Sequence, residues 1–185
     1  MAHAQTALEA AGAVVHLIAP HLGQIRPVNG ESFEATGTIE NSPSVLFDGV
    51  VLPDGAQGVR ALAAHVAVVD FICHPYRHGK TLLVLGASTQ LLELAGVSPT
   101  LANGEDDPGI VLDVSGQSDH GVLVMEASKP RARKASTTPP HSGKASDPGL
   151  SPDSTLQTER LVASFIAALG RHRHPEREAA AVLPA

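Results

Sequence analysis

Four places in the chain carry residue types able to do chemistry. Gly86-Ala87-Ser88-Thr89 is a small-residue turn between an apolar run and a helix-like stretch, the kind of sharp strand-to-helix turn on which α/β enzymes mount a nucleophile. The only hydroxyls there are Ser88 and Thr89, and no Cys stands at the turn. Cys73-His74-Pro75 sets the one thiol beside a base, the pairing a cysteine nucleophile needs. His172-Arg173-His174 and Glu105-Asp106-Asp107 offer two imidazoles and three carboxylates, which hint at cation sites.

Spacing weakens each of these. On a helix, residues two apart point to different faces, so His172 and His174, with Arg173 between them, read as a solvated cationic helix end that complements the helix dipole. The acidic run lacks the glycine-spaced calcium-loop pattern and reads as a polar loop. Lys80 to Gly86 already supplies the strand that leads into the turn. Cys73 and His74 therefore fall on a helix, with Cys73 packed as a small hydrophobe. Ser88 or Thr89 can cap the helix that follows, which accounts for Ser88 without a catalytic role. No G-x-G-x-x-G or Walker pattern occurs, so nucleotide binding has no support.

The elements that must position these residues follow from hydrophobic pattern. Leu82-Leu83-Val84-Leu85 is a continuous apolar run, as expected for a parallel strand covered on both faces. Residues 89–94 continue as a helix with leucines at 91, 92 and 94, and Gly96 stands where a left-handed residue ends it. Upstream, 4–11 predicts a helix, 13–20 a strand stopped by Pro20, and Asn29-Gly30 a hairpin turn flanked by 24–28 and 31–36. Gly49 to Leu52 predicts a strand closed by Pro53-Asp54-Gly55, and 57–78 a helix, in two pieces if Pro75 breaks it. Residues 109–113 and 121–126 predict two further strands. The alternation implies an α/β, doubly wound, mostly parallel sheet with helices on both faces.

Residues 1–126 form the globular domain of this reading, and 127–155 turn to Ser, Pro, Lys, Arg and Thr, a composition expected to stay disordered. Residues 156–174 predict a helix docking back on the sheet, and 175–185 a tail. The 185 residues are 43% hydrophobic but only 3% aromatic, so the core must be aliphatic. Net charge is −6, divided between 4 basic and 14 acidic groups in 1–126 and 9 basic and 5 acidic in 127–185. An acidic body argues against nucleic acid as the main ligand. One Cys excludes an internal disulfide. The apolar runs are too short to cross a membrane and the first residues lack a leader pattern, so a cytoplasmic location is expected.

The stretches SVLFDGVVLPDG, FICHPYRHGKTLLVLGASTQLLELAGV and FIAALGRHRH, in this order, resemble the C-terminal domain of large-subunit haem catalases. That domain is similar to the class I glutamine amidotransferase and intracellular-protease superfamily. The resemblance implies a flavodoxin-like fold. It places Gly86 and Ala87 where hydrolytic relatives carry Cys then His, and so implies no catalytic residue at the turn. It also implies a first, central strand before the first helix, which this chain is expected to lack. Peroxide decomposition belongs in such catalases to a separate haem domain, so no cofactor is expected in this chain. Tyr76, the only tyrosine, lies on a predicted helix and is no candidate haem ligand. The reading is a non-catalytic structural module that packs on itself or on a haem domain. The alternatives are a cysteine-dependent hydrolase or deglycase using Cys73 and His74, and a small-molecule binder at the carboxyl ends of the strands.

Overall fold

The apolar run at 82–85 forms the middle of a parallel sheet in the computed structural model, which describes residues 2–26, 32–113 and 152–181. In chain order the elements are α1 (Ala2–Ala10), β1 (Ile18–Ala19), β2 (Gly23–Ile25), β3 (Phe33–Ala35), β4 (Gly37–Thr38), β5 (Gly49–Leu52), α2 (Ala56–Ala63), α3 (Ala67–Arg77), β6 (Thr81–Val84), α4 (Thr89–Leu94), β7 (Ile110–Leu112), α5 (Pro152–Leu169) and α6 (Glu176–Ala181). Short 3-10 turns occupy Ser44–Leu46 and Gly86–Ser88. The main sheet runs β5-β6-β7, with Leu52 opposite Val84 and Leu82 opposite Ile110, all parallel. Parallel neighbours need crossovers, and α2, α3 and α4 supply them.

Two apolar clusters explain why β6 shows no alternation. Leu82 and Val84 pack with Val59, Val68, Ile72, Leu91 and Leu92 on one face. Leu83 and Leu85 pack with Ala4, Leu8, Val162 and Phe165 on the other. Leu82, Leu83 and Val84 are each fully buried, contributing roughly 1.5–3 kcal/mol apiece. The doubly wound α/β arrangement expected from the sequence is therefore present, with α1 and α5 on one face and α2, α3 and α4 on the other. Gly49 lets α5 approach closely, since a Cβ there would lie 2.8 Å from the Phe165 ring.

Several expected elements take a different form. The strand expected over 13–20 is reduced to Ile18–Ala19, which pairs in parallel with Gly37–Thr38 in a separate two-stranded sheet. The hairpin is present as β2 against β3, with Gln24 opposite Glu34, while its Asn29-Gly30 turn lies outside the described residues. The helical stretch after Gly55 does divide, yet it does so at 64–66, where the two helices bend by 94°, and Pro75 sits inside α3. Pro75 is buried at the last turn, where it costs one backbone bond without ending the helix. The final helix begins at Pro152 and stops at Leu169, so 171–174 are not helical. Half of the expected tail is α6. The strand expected at 121–126 and the segment 127–151 lie outside the described residues, as do 182–185. No single helix among the described residues is long and apolar enough to cross a membrane.

Beyond β5, on the side away from β6, lies a cavity of about 620 Å³ bounded by α1, the stretch 12–18, β5 and residues of α3 and α5.

Candidate functional site

The carboxyl ends of parallel strands are where such sheets hold ligands, and here β5 and β6 end side by side. Gly86 follows β6 at φ +46, a left-handed conformation that side chains with a Cβ adopt only under strain. The chain thus turns sharply from β6 into α4, the kind of turn on which α/β enzymes mount a nucleophile. The Asp54 carboxylate, from the turn after β5, fills the space beside it. Its Oδ1 accepts hydrogen bonds from the Gly55 N–H at 2.7 Å and the Ala87 N–H at 2.9 Å. A Cβ on Gly86 would collide with this carboxylate. Ser88 is fully buried and donates its hydroxyl to the Pro53 carbonyl. Ser88 stands at the N-cap position of α4, one of the two residues expected there, but makes no side-chain cap hydrogen bond. Thr89 Oγ1 lies 3.4 Å from the Gly86 carbonyl. Of the three leucines expected to face the sheet, Leu91 and Leu92 are buried and Leu94 is half exposed.

Cys73 and His74 part company on α3. The thiol is buried and its Sγ donates to the Ala95 carbonyl at 3.2 Å, whereas His74 is exposed. Adjacent helical positions diverge by about 100°, so no base faces the thiol from its neighbour.

At the amino end of β6 the structure assembles a polar network that the sequence reading missed. Asp107 is buried at 2% exposure. Its Oδ2 receives Arg177 Nε at 2.6 Å, and its Oδ1 accepts from the Gly109 N–H at 2.8 Å. Arg177 Nη1 also donates to the carbonyls of Tyr76 at 3.1 Å and Lys80 at 2.7 Å. Those carbonyls lie at and just beyond the end of α3, where acceptors lack intrahelical partners and the dipole favours a cation. The guanidinium stands 4.4 Å from the Tyr76 ring centroid, within cation–π range. His174, at 1% exposure, places Nε2 3.0 Å from Thr81 Oγ1, and its N–H donates to the Gly79 carbonyl.

Two expectations are corrected by this network. His174 is no solvated helix end, although His172 and Arg173 are exposed. Asp107 is no part of a polar loop surface, although Glu105 and Asp106 are exposed. Burial pushes the His174 imidazole below its ordinary value, Arg177 and Arg171 push the same way, and Asp107 and Glu176 oppose them. Burial, then Asp107, raises the Tyr76 phenol. No signal in the sequence singled out Asp54, which reads as an ordinary Pro-Asp-Gly turn. Nor did any signal link Arg177 to Asp107, 70 residues away.

The family described as the C-terminal domain found in long catalases matches residues 1–179. Catalase C of Rhizobium meliloti is 35% identical over 98 residues, 53% of this chain and 14% of that protein. Catalase HPII of Pseudomonas putida is 32% identical over 125 residues, 66% of this chain and 17% of that protein. The matched region thus spans a small fraction of these relatives' length. Among solved structures, a two-domain protein from Anabaena variabilis containing DJ-1/ThiJ/PfpI-like and ferritin-like domains aligns with TM-score 0.48 and 22% identity, over 50% of this chain and 27% of that one. A ThiJ/PfpI domain protein from Brachyspira murdochii aligns with TM-score 0.47 and 17% identity, over 50% of this chain and 53% of that one.

Proposed function

Because this chain belongs to the family of the C-terminal domain found in long catalases, we propose that it serves as a non-catalytic packing module, associating with copies of itself or with a haem-bearing catalase domain. Peroxide decomposition is then the work of that other domain. The observation that carries this reading is the turn at Gly86-Ala87, where the Asp54 carboxylate occupies the ground a nucleophile and its substrate would need. A carboxylate there repels an anionic intermediate and satisfies the Ala87 N–H that would otherwise stabilise one.

Sedimentation velocity across a range of concentrations, with and without a catalase haem domain, tests the role. The reading expects a concentration-dependent assembly with one of the two. A monomer under every condition, unfolding in a single cooperative urea transition, contradicts it. The hydrolase reading needs Cys73 as a reactive thiolate. Its burial against the Ala95 carbonyl and the outward His74 count against that reading, and a thiol-alkylation profile against pH decides between the two.

A further inference from the structure

α6 and the loop before it are joined to the rest of the chain without apolar packing. Neither apolar cluster contains a described residue beyond Leu169. The ion pairs Arg171–Glu176 and Arg173–Glu178 both lie within 171–178 and are partly solvated, so they brace the segment internally and do not fasten it to the sheet. Among the described residues, the fastening contacts come from two side chains and one main-chain group. Arg177 reaches Asp107 and the carbonyls of Tyr76 and Lys80. His174 reaches Thr81 through its ring and Gly79 through its N–H. At the join, His172 holds φ +59, a left-handed conformation that is costly for a residue with a Cβ. A segment outside the core, held by few polar contacts behind a strained join, is placed to open as a unit.

Of the two fastening side chains, His174 alone changes charge near neutral pH. Its Nε2 meets Thr81 Oγ1, while Nδ1 is buried with no partner. A neutral ring carries one proton, which the Thr81 hydroxyl can accept, but an imidazolium carries two. The charges around the ring are Arg177 and Glu176 on α6, Arg171 just after α5 and Asp107 before β7. Both Asp107 oxygens are taken, by Arg177 and by the Gly109 N–H, and Glu176 Oε1 is taken by Arg171. Glu176 Oε2 is buried without a partner, as Nδ1 is, so the two do not bond each other. On β6 the facing group is the uncharged Thr81 hydroxyl, on α3 it is the Tyr76 phenol, and the Lys80 ammonium turns to Asp48. A second ring proton therefore adds a buried cation beside Arg177, with one N–H left without an acceptor.

We propose that residues 171–181 form an acid-released latch, in which protonation of His174 frees α6 from the amino end of β6 while the sheet stays folded. Release uncovers the Asp107 carboxylate and the carbonyls of Tyr76 and Lys80. The freed imidazole is solvated and takes its proton at the ordinary value of about 6.5. Opening therefore binds a proton and grows as pH falls below that value.

The test is amide hydrogen exchange on the full chain between pH 7.5 and 5, corrected for the intrinsic pH dependence of exchange. Protection at His174 and Glu178, whose N–H groups donate to the Gly79 and Pro175 carbonyls, should fall at least about fivefold. Protection at 82–84 in β6 should stay constant. The His174 ring resonances should titrate over the same range. His174→Gln keeps a donor for Thr81 and takes no charge, and it should hold protection at 174–178 constant. Protection at 174–178 that is independent of pH in the unmodified chain overturns the proposal. An equal loss at 82–84 overturns it too, because the whole domain then unfolds. So does a loss that persists in His174→Gln, or one that falls outside the range in which the His174 resonances titrate.

Discussion

The two ends of β6 have been treated in opposite ways. At the carboxyl end, Gly86 makes a left-handed turn, and an exposed carboxylate from the turn after the neighbouring strand closes it. At the amino end, a buried ion pair, an imidazole and a threonine hydroxyl tie α6 and the preceding loop to Thr81 and the end of α3. Chemistry is normally placed at the first end and stability at the second. Among the described residues the buried ionisable groups, Asp107 and His174, sit at the second, and with Arg177 they hold α6 and the loop before it, while the buried hydroxyl of Ser88 at the first end serves the turn after β5.

The largest expected effect lies at the amino end. Asp107→Ala leaves the Arg177 guanidinium buried without its carboxylate, which should cost about 3–5 kcal/mol in urea denaturation. Replacing both partners, Asp107→Leu with Arg177→Met, should recover much of that loss. A double variant as unstable as the single one would break the comparison. Gly86→Ala comes next, because the Cβ meets the Asp54 carboxylate at a positive φ, and a loss of roughly 1–3 kcal/mol is expected.

The pH dependence of stability sharpens the contrast further. His174 has its pKa lowered in the folded chain, so the unfolded chain binds more protons in the window below the ordinary imidazole value of about 6.5. Stability from the neutral imidazole is present above that value and is lost as pH falls through the window toward the folded pKa. His174→Gln should flatten this part of a stability–pH curve, while His172→Gln, at an exposed position, should leave its shape unchanged. At the carboxyl end Asp54→Ala removes two hydrogen bonds from an exposed carboxylate, and about 1 kcal/mol or less is expected. A larger loss there than for Asp107→Ala would reverse the ranking of the two ends.

How much of this was legible in the sequence depends on the range of the signal. The apolar run at 82–85, the turn at 86–88 and Gly96 are local patterns, and each appears where expected. The break at 64–66 was missed because Ala64-His65-Val66 holds no glycine or proline, while Pro75 supplied a signal that packing overrode. The strand at 13–20 had the composition of a strand, but most of it has no described neighbour to pair with. The amino-end network was invisible for a different reason. Asp107 and Arg177 are brought together only by tertiary folding, and each sits among other charges that are solvated. Sequence showed what the carboxyl end lacked, in Gly86 and Ala87, but not that Asp54 fills the place.

The packing role proposed above requires no catalyst in this chain. Its most direct test is oxygen release from hydrogen peroxide by the purified chain after incubation with haem, followed together with the absorption spectrum. The account predicts no Soret band from a ligated haem and no turnover above free haem. Sustained oxygen evolution with a protein-bound Soret band would contradict it.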